Sequence, residues 1–358
     1  MTHINKKFRL GWFELILLIV FIAMTACTHI LVMPTQNLFS SDYLEGTLRP
    51  TIKITQVFIE TENQGIVTQS APTEKITPNI SSPTYLLPTN TSTPPAFTAT
   101  ALPPDYWMSA PIIPTVSQNA LEIYQRGIEM GRNPHAFSKI GDCQSITTYF
   151  LSYFDRPGIY NLGSYTSLQE TIDWYSGSFS RESLAVKGGF NAAAILSTLR
   201  ADPKVCDPDE NPIACELRLH NPIIAIISLE EWWAGHPENY EAYMRQIIEY
   251  SIQQGVVPMI ATKADNLEGN SLINQTIARL SVEYEIPLWN FWLAVQPLPN
   301  HGLIEVDTQG EPDMFHLTHS EGYYIYDDPT AMLAGWSIRN LTALQALDSL
   351  RRGLTEQP

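Results

Sequence analysis

Residues 223–262 read IIAIISLEEWWAGHPENYEAYMRQIIEYSIQQGVVPMIAT, and the rhythm of this stretch decides the fold. Ile223 to Ser228 is a short apolar run of strand length. Between Pro237 and Gln254, residues Tyr240, Tyr243, Met244, Ile247, Ile248 and Ser251 recur at helical spacing, and Gly255 then stops the helix. A second apolar run, Val256 to Thr262, follows at once. A strand, an amphipathic helix and a strand in succession form a crossover unit, which joins parallel strands. Outward from this unit, Phe137 to Gly141 and Pro287 to Phe291 read as further strands. Leu272 to Glu285 reads as a second amphipathic helix, and Asn191 to Leu199 as an Ala- and Leu-rich helix after the turn at Gly188 and Gly189. The expected fold class is α/β: a three-layer αβα domain with a central parallel sheet, whose ligands gather at the carboxyl ends of the strands.

The chain ahead of this domain has a different composition. Lys6, Lys7 and Arg9 precede an unbroken apolar run from Leu15 to Met24, which ends in Thr25, Ala26 and Cys27. That layout is an export signal. The small residue before Cys27 resembles the lipobox of bacterial lipoproteins, in which the cysteine is lipidated, although Met24 stands where leucine is usual. The alternative is an uncleaved signal anchor running on through Ile30 to Met33, since a spanning helix needs about 20 mostly apolar residues. From Gln69 to Pro104 there are eight Thr, eight Pro and four Ser among 36 residues, too little apolar surface to offset the entropy of ordering. The expected organisation is therefore a signal peptide or anchor over 1–27, a disordered Thr/Pro-rich stalk over 28–117, and a globular domain over 118–358. Lipoprotein, signal anchor and simple secretion all export that domain, and the first two tether it to the outer side of a bacterial membrane through its N-terminus alone. A net charge of −16 repels phosphate, so no nucleic-acid partner is expected.

Four cysteines are too few for a disulfide scaffold and lack the paired spacing of a zinc site, so no metal is expected. In an exported chain, Cys206 and Cys215 bracket the turn-rich CDPDENPIAC and are expected to form a local disulfide. Cys143 differs. It follows Gly141 and Asp142 at the end of the first strand, where a sharp turn holds a nucleophile out toward a base. Far down the chain, Asp313 precedes His316 by three residues. An aspartate so spaced can fold back within one turn to hold the imidazole N–H, which fixes the tautomer and leaves the other nitrogen free as a base.

Gly141-Asp142-Cys143, the Gly188-Gly189 pair before a helix, and Asp313-Met314-Phe315-His316 together resemble the SGNH, or GDSL-type, hydrolase superfamily over roughly Phe137 to Gly322. The resemblance implies a flavodoxin-like sheet, with Cys143 as nucleophile, Asp313 and His316 as orienting acid and base, and Gly188 or Gly189 as oxyanion glycine. Two positions depart from the pattern. Cys143 replaces the usual serine, and a thiol ionises near pH 8.5, a value that the neighbouring Asp142 tends to raise. Glu230 stands where the family places an oxyanion-binding asparagine, and an ionised carboxylate there opposes the developing charge.

Ser145, His301 and His319 are further candidates, of which Ser145 reads more simply as a helix cap and the two histidines as loop residues lacking an aspartate three positions before. Lys263, Asp265 and Asn266 are expected to border the cleft or form a polar turn. Trp232, Trp233, Trp289 and Trp292 are core or rim residues, a pair of which can stack on a sugar. The implied activity is an esterase or carbohydrate deacylase acting on an envelope or extracellular glycan, a chemistry that requires no metal or organic cofactor. The competing expectation is a surface binding protein that keeps the fold and has lost turnover.

Overall fold

A computed structural model of the chain describes residues 103–229 and 239–356. Cys27 and residues 28–102 of the expected stalk lie outside these residues, as do Glu230, Trp232 and Trp233. Four strands form one parallel sheet in the order β1 (Asn133–Gly141), β2 (Pro222–Ser228), β3 (Val257–Ala261) and β4 (Leu288–Trp289). The pairing of Gly141 with Ser228, Ile227 with Ile260 and Ala261 with Trp289 brings all four carboxyl ends to one edge of the sheet. Eight α-helices connect and flank the strands among the described residues: α1 (Gln118–Glu129), α2 (Gln169–Trp174), α3 (Ala192–Ile195), α4 (Pro212–His220), α5 (Asn239–Gln253), α6 (Leu272–Glu283), α7 (Phe291–Val295) and α8 (Gly335–Thr355). None of the described helices is long and apolar enough to cross a membrane.

The strands form where the apolar runs predict them. Every residue of β2 is buried, which is why its sequence is a run of isoleucines without polar alternation. Helices α5 and α6 also fall where their periodicity puts them, within a few residues at either end. The expected helix over Asn191–Leu199 shrinks to the single turn of α3, capped by the Asn191 side chain on Ala194 N (3.0 Å). The CDPDENPIAC stretch is only partly a loop. Asn211 caps Ala214 N and Pro212 takes the first turn, so Cys215 lies within α4 and bonds Cys206 with their Cα atoms 5.3 Å apart.

Two segments differ from the sequence reading more sharply. Residues 106–116, expected to belong to the stalk, pack onto the domain: Trp107 is fully buried, Tyr106 Oη donates to Ala278 O (2.6 Å), and Asn290 donates its side-chain amide to Trp107 O and Ala110 O (2.7 and 2.8 Å). Local composition hid this because the apolar partners lie far along the chain. The longest helix, α8, was not read either. It is buried on nearly all sides, including Arg339, Asn340, Thr342 and Arg351, so no polar stripe marks its period.

Candidate active site

At the carboxyl end of β1 the chain reverses its direction across the sheet. Gly141 donates its N–H to Ala185 O (3.0 Å) and accepts from Lys187 N (3.4 Å), forming a parallel bridge to Val186 on the edge of β1 turned away from β2. Connections leaving β1 thus run to neighbours on opposite sides, and a crevice opens beyond the strand ends at such a switch point. Gly141 is glycine for a steric reason, because an added Cβ would collide with Ser145 Oγ and the carbonyl of Ser228.

The next residues make a single 3₁₀ turn, Cys143–Ser145, capped by the Asp142 carboxylate, which accepts from Gln144 N (2.9 Å). Cys143 is half-buried at the mouth of this turn and takes no part in the disulfide. Ser145 points the other way: it is buried beneath the sheet edge, with its hydroxyl against Ser228 O at 3.5 Å, so it neither caps this turn nor reaches the crevice.

Asp313 and His316 sit on a ribbon formed by residues 303–317, held by bridges between Leu303 and Leu317 and between Val306 and Pro312. Met314 adopts a left-handed backbone (φ 54°), which curls the Asp-x-x-His segment back on itself. Asp313 Oδ1 accepts from Phe315 N (3.0 Å) and His316 N (2.7 Å), and His316 Nδ1 lies 3.0 Å from Oδ2. Burial pushes the Asp313 carboxyl up, but these backbone and imidazole donors outweigh it and hold the group below the usual carboxylate range. The Asp313 side chain is 11% exposed and that of His316 55%, so the acid is shielded while the ring faces solvent. A neutral ring that donates from Nδ1 to Asp313 keeps Nε2 unprotonated, the form a general base requires.

Cys143, Asp313 and His316 line one cleft of about 580 Å³, with Ile146, Tyr149, Asp307, His319 and Trp336 among the other walls. Gln144 ties the two halves together, its side-chain amide donating to Phe315 O at 2.8 Å. His319 belongs to this cleft and His301 does not. Burial, reinforced by the nearby His316, pushes the His319 imidazole down, and its ring packs edge-on against Tyr149 (centroids 4.9 Å apart). Gly188 and Gly189 are exposed and are not among the residues lining the cleft, although a Cβ on Gly188 would stand 3.8 Å from the cleft residue Ile146. Gly189 takes φ 79°, a conformation that favours glycine.

Beneath the turn lies Arg339 of α8, fully buried. Its Nε donates to Gln144 O (2.9 Å) and its Nη2 to Ser228 Oγ (2.7 Å), while the guanidinium packs over Phe291, Phe150 and Trp289 at 4.8 to 5.2 Å. Sequence reading passed over Arg339, Gln144, Tyr149 and Trp336. Gln144 alone carried a usable signal, by adjoining Cys143.

Lys263 and Asp265 do not border this cleft. Lys263 is buried and pairs with Asp265 (2.7 Å) and Glu268 (2.6 Å), the two carboxylates holding its ammonium above the usual range against the opposing effect of burial. Among the described residues, Cys206, Glu210 and Cys215 are the one group whose ligand atoms cluster as a metal site would, but both sulfurs are in the disulfide and offer no thiolate. No protein-family model, curated protein or solved structure matches the chain.

Proposed function

We propose that the chain is an SGNH-type hydrolase, an esterase or carbohydrate deacylase with a three-layer αβα domain, acting on a glycan ester outside a bacterial membrane to which Cys27 or a signal anchor tethers it. One observation carries the reading: Cys143, at the switch point of a parallel sheet, and the hydrogen-bonded Asp313–His316 pair line the same cleft although they lie far apart in the chain. The full burial of β2 fits a sheet covered on both faces.

In this reading His316 Nε2 takes the Cys143 proton as sulfur attacks the ester carbonyl. The tetrahedral oxyanion collapses, the sugar hydroxyl leaves with the proton from His316, and a thioester remains on Cys143. Water then gives a proton to His316 and adds to the thioester, releasing the carboxylic acid and restoring the thiol. Asp313 holds the ring through both halves.

A second reading, a surface protein that binds its ligand without turning it over, is favoured by Gly188 and Gly189 standing outside the cleft lining. Ester cleavage by wild type, Cys143→Ala, His316→Ala and the double variant separates the two. A hydrolase loses nearly all cleavage in either single variant, and the double variant is scarcely worse because the two groups act as one unit. Cleavage that survives in Cys143→Ala removes the thiol mechanism. An inert wild type that binds glycan selects the binding protein.

A further inference from the structure

The ribbon over 303–317 has a cavity on each side. Ile304, Val306 and Asp313 face the Cys143 cleft, whereas Leu303 and Met314 face a second cavity of about 600 Å³. The second cavity lies at the same edge of the sheet as the first, because Ala264 to Leu267 follow β3, and Trp292 and Gln296 follow β4. Its lining combines an indole, Trp292, with hydrogen-bonding groups on Asn266, Ser271, Gln296 and His301. An aromatic surface beside a few amide, hydroxyl and imidazole groups is the chemistry that holds a sugar ring, which stacks its apolar face and hydrogen-bonds its hydroxyls.

Charge narrows the ligand. Among the described residues, neither cavity has Lys or Arg in its lining, whereas Asp307 and Asp313 line the cleft and Asp265, paired with Lys263, the second cavity. The buried Lys263 is already paired with Asp265 and Glu268. An anionic ligand meets no Lys or Arg here and faces the carboxylates of Asp307 and Asp313.

We propose that the second cavity is a subsite for another unit of the same glycan, and that this unit is an uncharged or amine-bearing sugar rather than an acidic one. The proposal rests on the reading that a glycan ester occupies the Cys143 cleft. The 303–317 ribbon stands between the two cavities, so the ligand that fills both is an oligosaccharide rather than a single sugar.

The test is calorimetric binding to the full-length protein in detergent. The probes are neutral β-1,4 tetrasaccharides of glucose, xylose and N-acetylglucosamine, their monosaccharides, the fully N-deacetylated glucosamine tetramer, and a tetragalacturonide. At least one neutral or amine-bearing tetramer is expected to bind ~10-fold or more tighter than its monosaccharide, and the tetragalacturonide at least ~10-fold more weakly than that tetramer. Trp292→Ala is expected to remove the tetramer's advantage. Because Trp292 also packs edge-on against buried Trp107 (4.6 Å), the exposed His301→Ala supplies an independent loss without touching that contact. The proposal is overturned if no tetramer binds, if the acidic tetramer binds as well as the neutral ones, or if His301→Ala and a folded Trp292→Ala both bind as wild type does. Cleavage of p-nitrophenyl acetate, lost in Cys143→Ala, reports on the hydrolase reading separately. Such cleavage without tetramer binding sinks the subsite alone, and tetramer binding with no cleavage sinks the hydrolase alone.

Discussion

The side-chain amide of Gln144 donates to the backbone carbonyl of Phe315 at 2.8 Å, so the turn that carries Cys143 is tied directly to the turn that carries His316. Gln144 is buried, and its backbone carbonyl is held in turn by Arg339. Removing the amide in Gln144→Ala frees the 303–317 ribbon to drift from the thiol. Small displacements of reacting groups are costly, up to about 10²-fold for 1 Å. A fall of roughly 10- to 100-fold in kcat is expected with little change in KM. A raised KM with kcat unchanged would assign Gln144 to substrate binding instead.

Replacing Glu230 by Asn restores an oxyanion donor where the superfamily resemblance expects one and removes a negative charge from that position. One such donor contributes about 10²- to 10³-fold in kcat, so a gain of at least ~10-fold is a conservative expectation for a weakly active wild type. Steady-state kinetics on a short-chain ester checks it. An unchanged or lower kcat places the oxyanion elsewhere.

Lys139 gives the domain a pH dependence. Burial, joined by the positive charge of Arg181, brings its ammonium down to about 7, and Nζ is left with Thr147 Oγ1 (2.9 Å) and Phe179 O (3.0 Å). In the unfolded chain lysine titrates near 10.4. Between the two values the unfolded state holds the extra proton, so unfolding free energy rises with pH over that window and the full penalty applies below pH 7. Urea midpoints measured from pH 7 to 10 are expected to climb in wild type and to lose that climb in Lys139→Met. Parallel profiles for the two proteins would show that Lys139 is not the group responsible.

The Cys206–Cys215 bond closes a short loop that ends in the first turn of α4, with a sequence separation of 9. A loop of that size stabilises by about 2 to 3 kcal/mol on the chain-entropy account. The double variant Cys206→Ser with Cys215→Ser is expected to lose that amount in urea unfolding while keeping its ester cleavage. A loss of cleavage would link this loop to the cleft.

What could be read ahead of the structure was local. The strands and helices of 223–289 announce themselves through runs and periods of apolar residues within one element. The Cys206–Cys215 pair spans a single loop, and the Asp313–His316 pair falls within one turn that the left-handed Met314 completes. Helix α8 shows the limit, since it buries Arg339 and Asn340 against partners elsewhere and so carries no stripe of its own.

By itself, then, the sequence determined the α/β class, the parallel sheet and the chemical types at Cys143, Asp313 and His316, because these depend on short-range spacing. Only the tertiary structure decided that Cys143 and His316 share a cleft, that His319 joins them while His301 lines a different cavity, and that Gly188 and Gly189 stand outside the lining. These relationships arise from crossovers and a ribbon that bring distant segments to one edge of a sheet. The side chains that hold them there, Gln144 and Arg339, act through contacts that no local pattern records.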